Sequence, residues 1–244
     1  MSFLRSHTRL FIIVAALLGI GTVVAALYRQ QPAVSQPQTS TTQTISSKAH
    51  TGELSISVCD ATNGPFSLTI DNPFMPLPMG MIHMLEDSSN KVQMSVLNQT
   101  EIVAGITTRV VEEREWKNGK LAEVARNFFV QAHDGTICYY GEDVDEYQDG
   151  KIVGHAGAWR AGVGQNKPGI IMPAHPSVGQ NYQQERAPGV ANDRAEHVAI
   201  GESYTTPAGT FKDVLLVNEN PSSTKRYARG IGLIFDDGAE LTKY

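Results

Sequence analysis

The stretch "WKNGKLAEVARNFFVQAHDGTICYYGEDV", residues 116–144, decides the fold class. Taken alone, Leu121, Val124 and Phe128 fit helical spacing. The flanks argue otherwise. Asn-Gly and Asp-Gly are favoured where both central residues of a turn need positive φ, so "KNGK" and "HDGT" read as tight hairpin connections. A run held between two such turns is a strand.

Short runs of β character continue on both sides of this stretch. "MIHML", "KVQMSVLNQTEIV" and "ITTRVVEEREW" precede it, jointed at Ser88-Ser89-Asn90 and Gly105. Together they predict an antiparallel meander over roughly residues 79 to 145. Within it, "VVEEREW" is helical by composition, but Val110, Val111 and the Asn-Gly turn favour a long strand with an exposed edge. "LSISVCD" alternates like a strand as well. "GPFSLTIDNPFMPLPMG" carries prolines at 65, 73, 76 and 78, which forbid a long helix or a central strand there. After residue 193, "AEHVAIGESYTTPAGTFKDVLLVNEN", "TKRYARGIGLIFDDG" and "AELTKY" return to strand character, with turns at "PAGT" and "DDGA".

The middle is different. Gly154 to Asp193 holds seven glycines and four prolines, with no repeat period and no room for a helix. A structureless span of this length is unusual in a compact domain unless it packs or functions. Trp159, Val163, Ile170, Ile171, Met172 and Tyr182 mark it as packed. The expectation is an all-β or β-rich domain: a curved antiparallel sheet, an incomplete β-barrel in preference to a sandwich, with this segment across one face.

The first fifty residues stand outside that domain. Arg5, His7 and Arg9 precede an apolar run from Leu10 to Leu27, the pattern of a signal peptide or a single transmembrane anchor over residues 1–30. Residues 31–50, rich in Gln, Ser, Thr and Pro, read as a flexible linker. Residues 51–244 then form one exported domain, on a cell membrane facing the periplasm or exterior, or secreted after cleavage. Cys59 and Cys138 are the two cysteines, and an oxidising compartment makes a bridge between them plausible beside the alternative of two separate buried thiols. The formal charge is −5, and Lys and Arg are scattered singly, so the basic surface that nucleic acid requires is missing.

Three groups of residues have metal-binding chemistry. The acidic stretch after Tyr140 resembles a calcium loop but fails its spacing. Counting from Asp143 puts Tyr147 at position 5 and Gln148 at position 6; counting from Asp145 puts Tyr147 at position 3 and Ala156 at position 12. Glu142 and Asp143 remain as hard oxygen ligands if His175, Glu185 and Asp193 fold against them. A zinc set would draw on His175, Glu185, Asp193, Glu196 and His197, although Glu196 and His197 are neighbours that point to opposite faces of a strand. Met75, Met79, Met81, Met84 and His83 offer thioethers and an imidazole to monovalent copper, or simply fill a core. No Gly-x-Ser-x-Gly elbow or phosphate loop is present.

Four stretches, "NPFMPLPMGMIHM", "DGTICYYGEDV", the segment from Gly157 to Glu196 and "KRYARGIGLI", resemble a family of uncharacterised exported bacterial proteins over roughly residues 70 to 235. Asp134, Gly135, Tyr139, Gly141 and Glu142 match its hairpin, with Cys138 where tryptophan is expected. Trp159, Ala161, Gly162, Pro168, Gly169, Met172, Pro173, Gly179, Tyr182, Glu185, Pro188, Gly189, Ala191 and Asp193 match its middle. The family brings no activity and no known cofactor. "KRYARGIGLI" is also similar to the last strands of lipoprotein carrier-like incomplete barrels. That weaker likeness implies a groove, and with it binding of a small or apolar ligand or of an envelope partner. A metal-dependent enzyme or metal-handling protein, and a structural envelope protein, are the alternatives.

Overall fold

The computed structural model describes residues 52–220 and 222–244. The apolar N-terminal run and the linker lie outside the described residues. In chain order the strands are β1 (Gly52–Glu53), β2 (Ile82–Glu86), β3 (Asn90–Val103), β4 (Ile106–Lys117), β5 (Lys120–Gln131), β6 (Ile137–Gln148), β7 (Lys151–Gly154) and β8 (Trp159–Arg160). They continue with β9 (Lys167–Met172), β10 (Gln180–Gln183), β11 (Glu185–Arg186), β12 (Arg194–Thr206), β13 (Gly209–Glu219), β14 (Ser223–Ala228), β15 (Gly232–Asp236) and β16 (Ala239–Lys243).

All sixteen belong to one sheet, ordered β1-β10-β12-β13-β14-β15-β16-β2-β3-β4-β5-β6-β9-β11, with β7 and β8 added beside β6. Among the described residues every strand pairing is antiparallel except β1 with β10. The predicted meander is β2 to β6, and residues 120–131 are a strand, as the turns required.

Turn chemistry explains the joints. Asn118 and Gly119 both have positive φ, as do Ala104 with Gly105, Asp149 with Gly150, and Asp237 with Gly238. Each pair joins strands whose flanking residues are directly opposed, such as Lys117 and Lys120. Asp134-Gly135 works differently. Only Gly135 has positive φ, and a five-residue loop spans Gln131 to Ile137, held by the Asp134 carboxylate accepting from the Thr136 N–H. Register shifts in β3–β4, β4–β5 and β5–β6 bend the long strands and add twist, which curls the sheet.

The curl stops short of closure. Gln180–Gln183 pairs with β12 at one end of the sheet, and two residues later Glu185–Arg186 pairs with β9 at the other. One segment therefore draws the two ends together without laddering them to each other. The sheet is not a closed barrel, which corrects the β-barrel expectation. No helix among the described residues is long and apolar enough to cross a membrane, so the transmembrane expectation finds no support in them; the run it rests on, residues 1–30, lies outside the described residues.

Three local expectations are also corrected. Ile56–Cys59 is a short 3-10 helix started by the Ser55 side chain, not a strand. Gly154 to Asp193 is packed as expected but carries β8 to β11, with Trp159, Ile170, Met172 and Tyr182 buried. β4 is an interior strand between β3 and β5 and not an exposed edge.

Inside the curl lie Phe74, Leu85, Val111, Ile137, Tyr140, Ile170, Met172, Tyr182, Leu215, Ile234 and Leu241. The proline-rich segment packs onto this core through Ile70, Phe74, Met75 and Leu77. Asn72 pins it there, its amide donating to the carbonyls of Gly135 and Pro173, both at 3.0 Å. Cys59 and Cys138 are bridged, and the Tyr140 hydroxyl donates to the Cys59 carbonyl at 2.7 Å.

Candidate functional site

Register alone carries one row of side chains into the interior from each strand. On β3, β4 and β5 the opposed sets are Val92–Glu115–Glu123, Met94–Glu113–Ala125 and Val96–Val111–Asn127. From the other arm of the sheet come Val217–Lys225–Asp236 and Leu215–Tyr227–Leu233. Alternation makes each row one-sided, so both arms place apolar and charged groups towards a shared space.

That space holds a cavity of about 70 Å³. Apolar walls come from Met75, Leu77, Met94, Val111, Phe129 and Leu233, and polar groups from Glu113, Asn127, Tyr139, Lys225 and Tyr227. Tyr139 donates its hydroxyl proton to Asn127 Oδ1 at 2.7 Å, which fixes both side chains. Trp159 meets the Tyr139 ring edge-on, with centroids 5.3 Å apart.

Next to the cavity is an ionic cluster. Lys225 Nζ lies 3.4 Å from Glu219 Oε2 and 3.4 Å from Asp236 Oδ2, and all three residues are buried. Gln184 donates to the other Glu219 oxygen at 2.7 Å. Burial by itself would lower the Lys225 pKa, but Asp236 and Glu219 reverse this and hold the ammonium well above the usual lysine value. Burial raises the Glu219 and Asp236 carboxyls in spite of Lys225.

Glu113 and Glu115 face the same interior without such help. Neither makes a hydrogen bond or an ion pair with the described residues. Burial pushes the Glu113 carboxyl up to about 7; Lys225 offsets part of this, and Asp236 and Glu123 add to it. Burial, then the charges of Glu113 and Glu123, pushes Glu115 up to about 8. Desolvation penalises the charged form, so both acids favour keeping a proton near neutrality.

The residues singled out from sequence lie elsewhere. Glu142 is buried on β6 beside the β8 pairing. Asp143, next along the strand and facing the other way, grips the Arg160 guanidinium at 2.6 and 3.2 Å, and the same Arg160 reaches Glu101 at 2.7 Å. His175 is exposed. Glu185 and Asp193 do come together, the Asp193 N–H donating to Glu185 Oε1 at 3.0 Å, while the Asp193 carboxylate accepts from Asn220. Among the described residues no three His, Cys, Asp or Glu side chains are grouped to hold a metal ion.

Glu196 is exposed and His197 is buried, so the two do face opposite ways. His197 Nε2 lies 3.1 Å from the Tyr182 hydroxyl, and burial lowers the His197 pKa to about 4. Of the methionines set aside for copper, only Met75 reaches the cavity; Met79 is 60% exposed. Comparison with family models, with curated proteins and with solved structures found no match to this chain.

The interior role of Glu113 and Glu115 does not follow from sequence pattern, because β4 reads as an exposed strand and lies inside the sheet. The signal was present in "VVEEREW": charge at every position from 112 to 115 leaves no apolar face to orient the strand. Glu112 pairs with Arg114 and Arg126 on one side, and Glu113 and Glu115 occupy the other.

Proposed function

We propose that the chain is an extracytoplasmic binding domain that holds a small, largely apolar ligand in the cavity between the two arms of its sheet. The observation that carries this reading is the cavity itself, whose walls are mostly aliphatic and aromatic and whose few polar groups come from both arms of the sheet. A volume of about 70 Å³ is several times the roughly 10–15 Å³ that one water needs on the same measure, so the site suits a short aliphatic group. The Cys59–Cys138 bridge supports an oxidising compartment, in keeping with the charged-then-apolar start of the sequence.

Methionine methyl NMR tests this directly, because Met75 and Met94 line the cavity while Met79 is exposed. Titration of the full chain with 1-butanol should move the Met75 and Met94 signals together and leave Met79 in place. Leu233→Phe, which fills the cavity, should abolish those shifts, with the buried Met172 signal reporting that the fold is kept. Motionless Met75 and Met94 signals, or saturation by the variant at the same concentration, would end the proposal.

A further inference from the structure

Lys225 and Asp236 are directly opposed across the β14–β15 ladder. Among the described residues Lys225 is the one buried lysine. Its Nζ lies 3.4 Å from Asp236 Oδ2 and 3.4 Å from Glu219 Oε2, so one nitrogen is flanked by two carboxyl groups. The two carboxyls are held differently. Glu219 has its other oxygen fixed by the Gln184 amide at 2.7 Å. Asp236, only 3% exposed, has an Oδ1 with no hydrogen-bond partner among the described residues.

As a plain ion pair this arrangement is unfavourable. Both charges are out of water, and one carboxylate oxygen has no donor to replace its hydration. Condensation into an amide relieves that penalty, because two buried charges become one neutral group. Proximity favours the same outcome. Attack on a carboxyl carbon needs the nitrogen within roughly 3 to 3.5 Å of it, and Lys225 Nζ stands beside the oxygen bonded to that carbon. Lys225 also lines the cavity of about 70 Å³, which has room for a departing water that needs roughly 10–15 Å³.

We propose that Lys225 and Asp236 join in an intramolecular amide bond, with Glu219 as the base for the reaction. The ammonium first gives a proton to Asp236, which leaves a neutral amine beside a neutral carboxylic acid. The Nζ lone pair then bonds to Asp236 Cγ, and Glu219 Oε2 takes a second proton from the nitrogen. Glu219 passes that proton to the departing oxygen, the C–O bond breaks, and one water leaves with both protons. The nitrogen keeps one N–H, Glu219 returns to its starting form, and neither oxidant nor reductant is consumed. Asp236 is the acceptor because it is directly opposite Lys225, whereas Val217 holds that position on β13 and Glu219, two residues further on, is anchored by Gln184.

Peptide mass mapping of the full chain, denatured and reduced after folding, tests this. Trypsin cuts after Lys212, Lys225, Arg226, Arg229 and Lys243. An amide on Lys225 blocks the cut there and leaves residues 213–226 joined to residues 230–243, one water lighter than the two peptides apart. The joined fragment is the expected result in the wild type, and it should be absent from Lys225→Arg. Glu219→Gln, with the buried Met172 methyl signal reporting that the fold is kept, should contain at least tenfold less of it. Separate peptides 213–225 and 230–243 from folded wild type would overturn the proposal, as would a joined fragment that persists in Lys225→Arg. A bond closed within residues 213–226 would overturn the choice of Asp236 as acceptor. An unchanged joined fraction in folded Glu219→Gln would overturn the role of Glu219 as base.

Discussion

Replacing Glu115 by Gln should remove a stability loss that the native chain suffers as pH rises. In the unfolded chain the carboxyl titrates near 4.5, and in the folded interior near 8. Below 4.5 both states carry the proton and the group contributes no difference. Between the two values the folded state binds the proton and the unfolded state does not, so stability falls with each step up in pH. Above about 8 the loss is complete. At 1.36 kcal/mol per pH unit, the span from 4.5 to about 8 corresponds to ~5 kcal/mol. Part of that is repulsion from Glu113 and Glu123, which a second titrating group shares, so the isolated effect is roughly 3 to 5 kcal/mol. Gln keeps the shape of a protonated carboxyl and cannot ionise. Urea unfolding with the disulfide intact, repeated from pH 5 to pH 9, is the measurement. Wild type and Glu115→Gln should nearly coincide at pH 5 and diverge upwards, the variant being the more stable at pH 9. Parallel curves, or a variant weaker than wild type at pH 9, would refute the placement of Glu115 in a desolvated interior.

Two further outcomes follow from the backbone and the disulfide. Replacing both Cys59 and Cys138 by Ser releases a loop closed over 79 residues, which by chain entropy amounts to ~4.5 kcal/mol; a loss below about 1 kcal/mol in urea unfolding would show that the bridge constrains little. Gly141→Ala should cost more than about 2 kcal/mol, because φ there is +138° and an added Cβ would sit 2.3 Å from the Trp159 carbonyl oxygen. Gly150→Ala, at φ +77° with open space around it, should cost about 1 kcal/mol, and equal losses for the two would contradict the close approach of β8 to β6.

The framework was legible wherever local chemistry and global topology agree. Asn118-Gly119 announces a tight turn through the backbone freedom of two residues, and the strands on either side inherit their direction from it. Trp159, Ile170, Met172 and Tyr182 showed that the glycine-rich middle packs, because large apolar side chains at that density have to be buried somewhere. The same middle concealed its strands. β8, β10 and β11 are two to four residues long, too short for alternation to register, and each exists only because a distant strand offers it partners.

The site was hidden for the opposite reason. Glu113 and Glu115 look like solvated charges, and composition assigns them to a surface. Only the position of β4 in the strand order puts them inside, and strand order is a long-range fact. Lys225 and Asp236 come from a second arm more than a hundred residues away in sequence, and no spacing rule connects them to β4. Glu142, Asp143, His175, Glu185 and Asp193 suggest a site by chemical type alone. The fold gives Asp143 to Arg160 and Asp193 to Asn220 and Glu185, so their charges are spent on neighbours.

Where the sheet nearly closes, the cluster and the seam share a residue. Gln184 lies between the stretch that pairs with β12 and the stretch that pairs with β9, and its side chain holds Glu219, which in turn holds Lys225. At the same point the backbone of β9 presses on Gln184 so closely that a Cβ on Gly169 would lie 2.3 Å from the Gln184 carbonyl oxygen. A side chain at 169 would push the seam apart and carry Gln184 away from Glu219. The carboxylate would then be left with Lys225 alone, and Lys225 would no longer be fixed between its two partners. The geometry of the ionic cluster therefore depends on the absence of one methyl group on the far side of the seam. That dependence explains why an interior with more acids than cations can sit in an open sheet: the bridging segment, not a closed ladder, holds its donors in place.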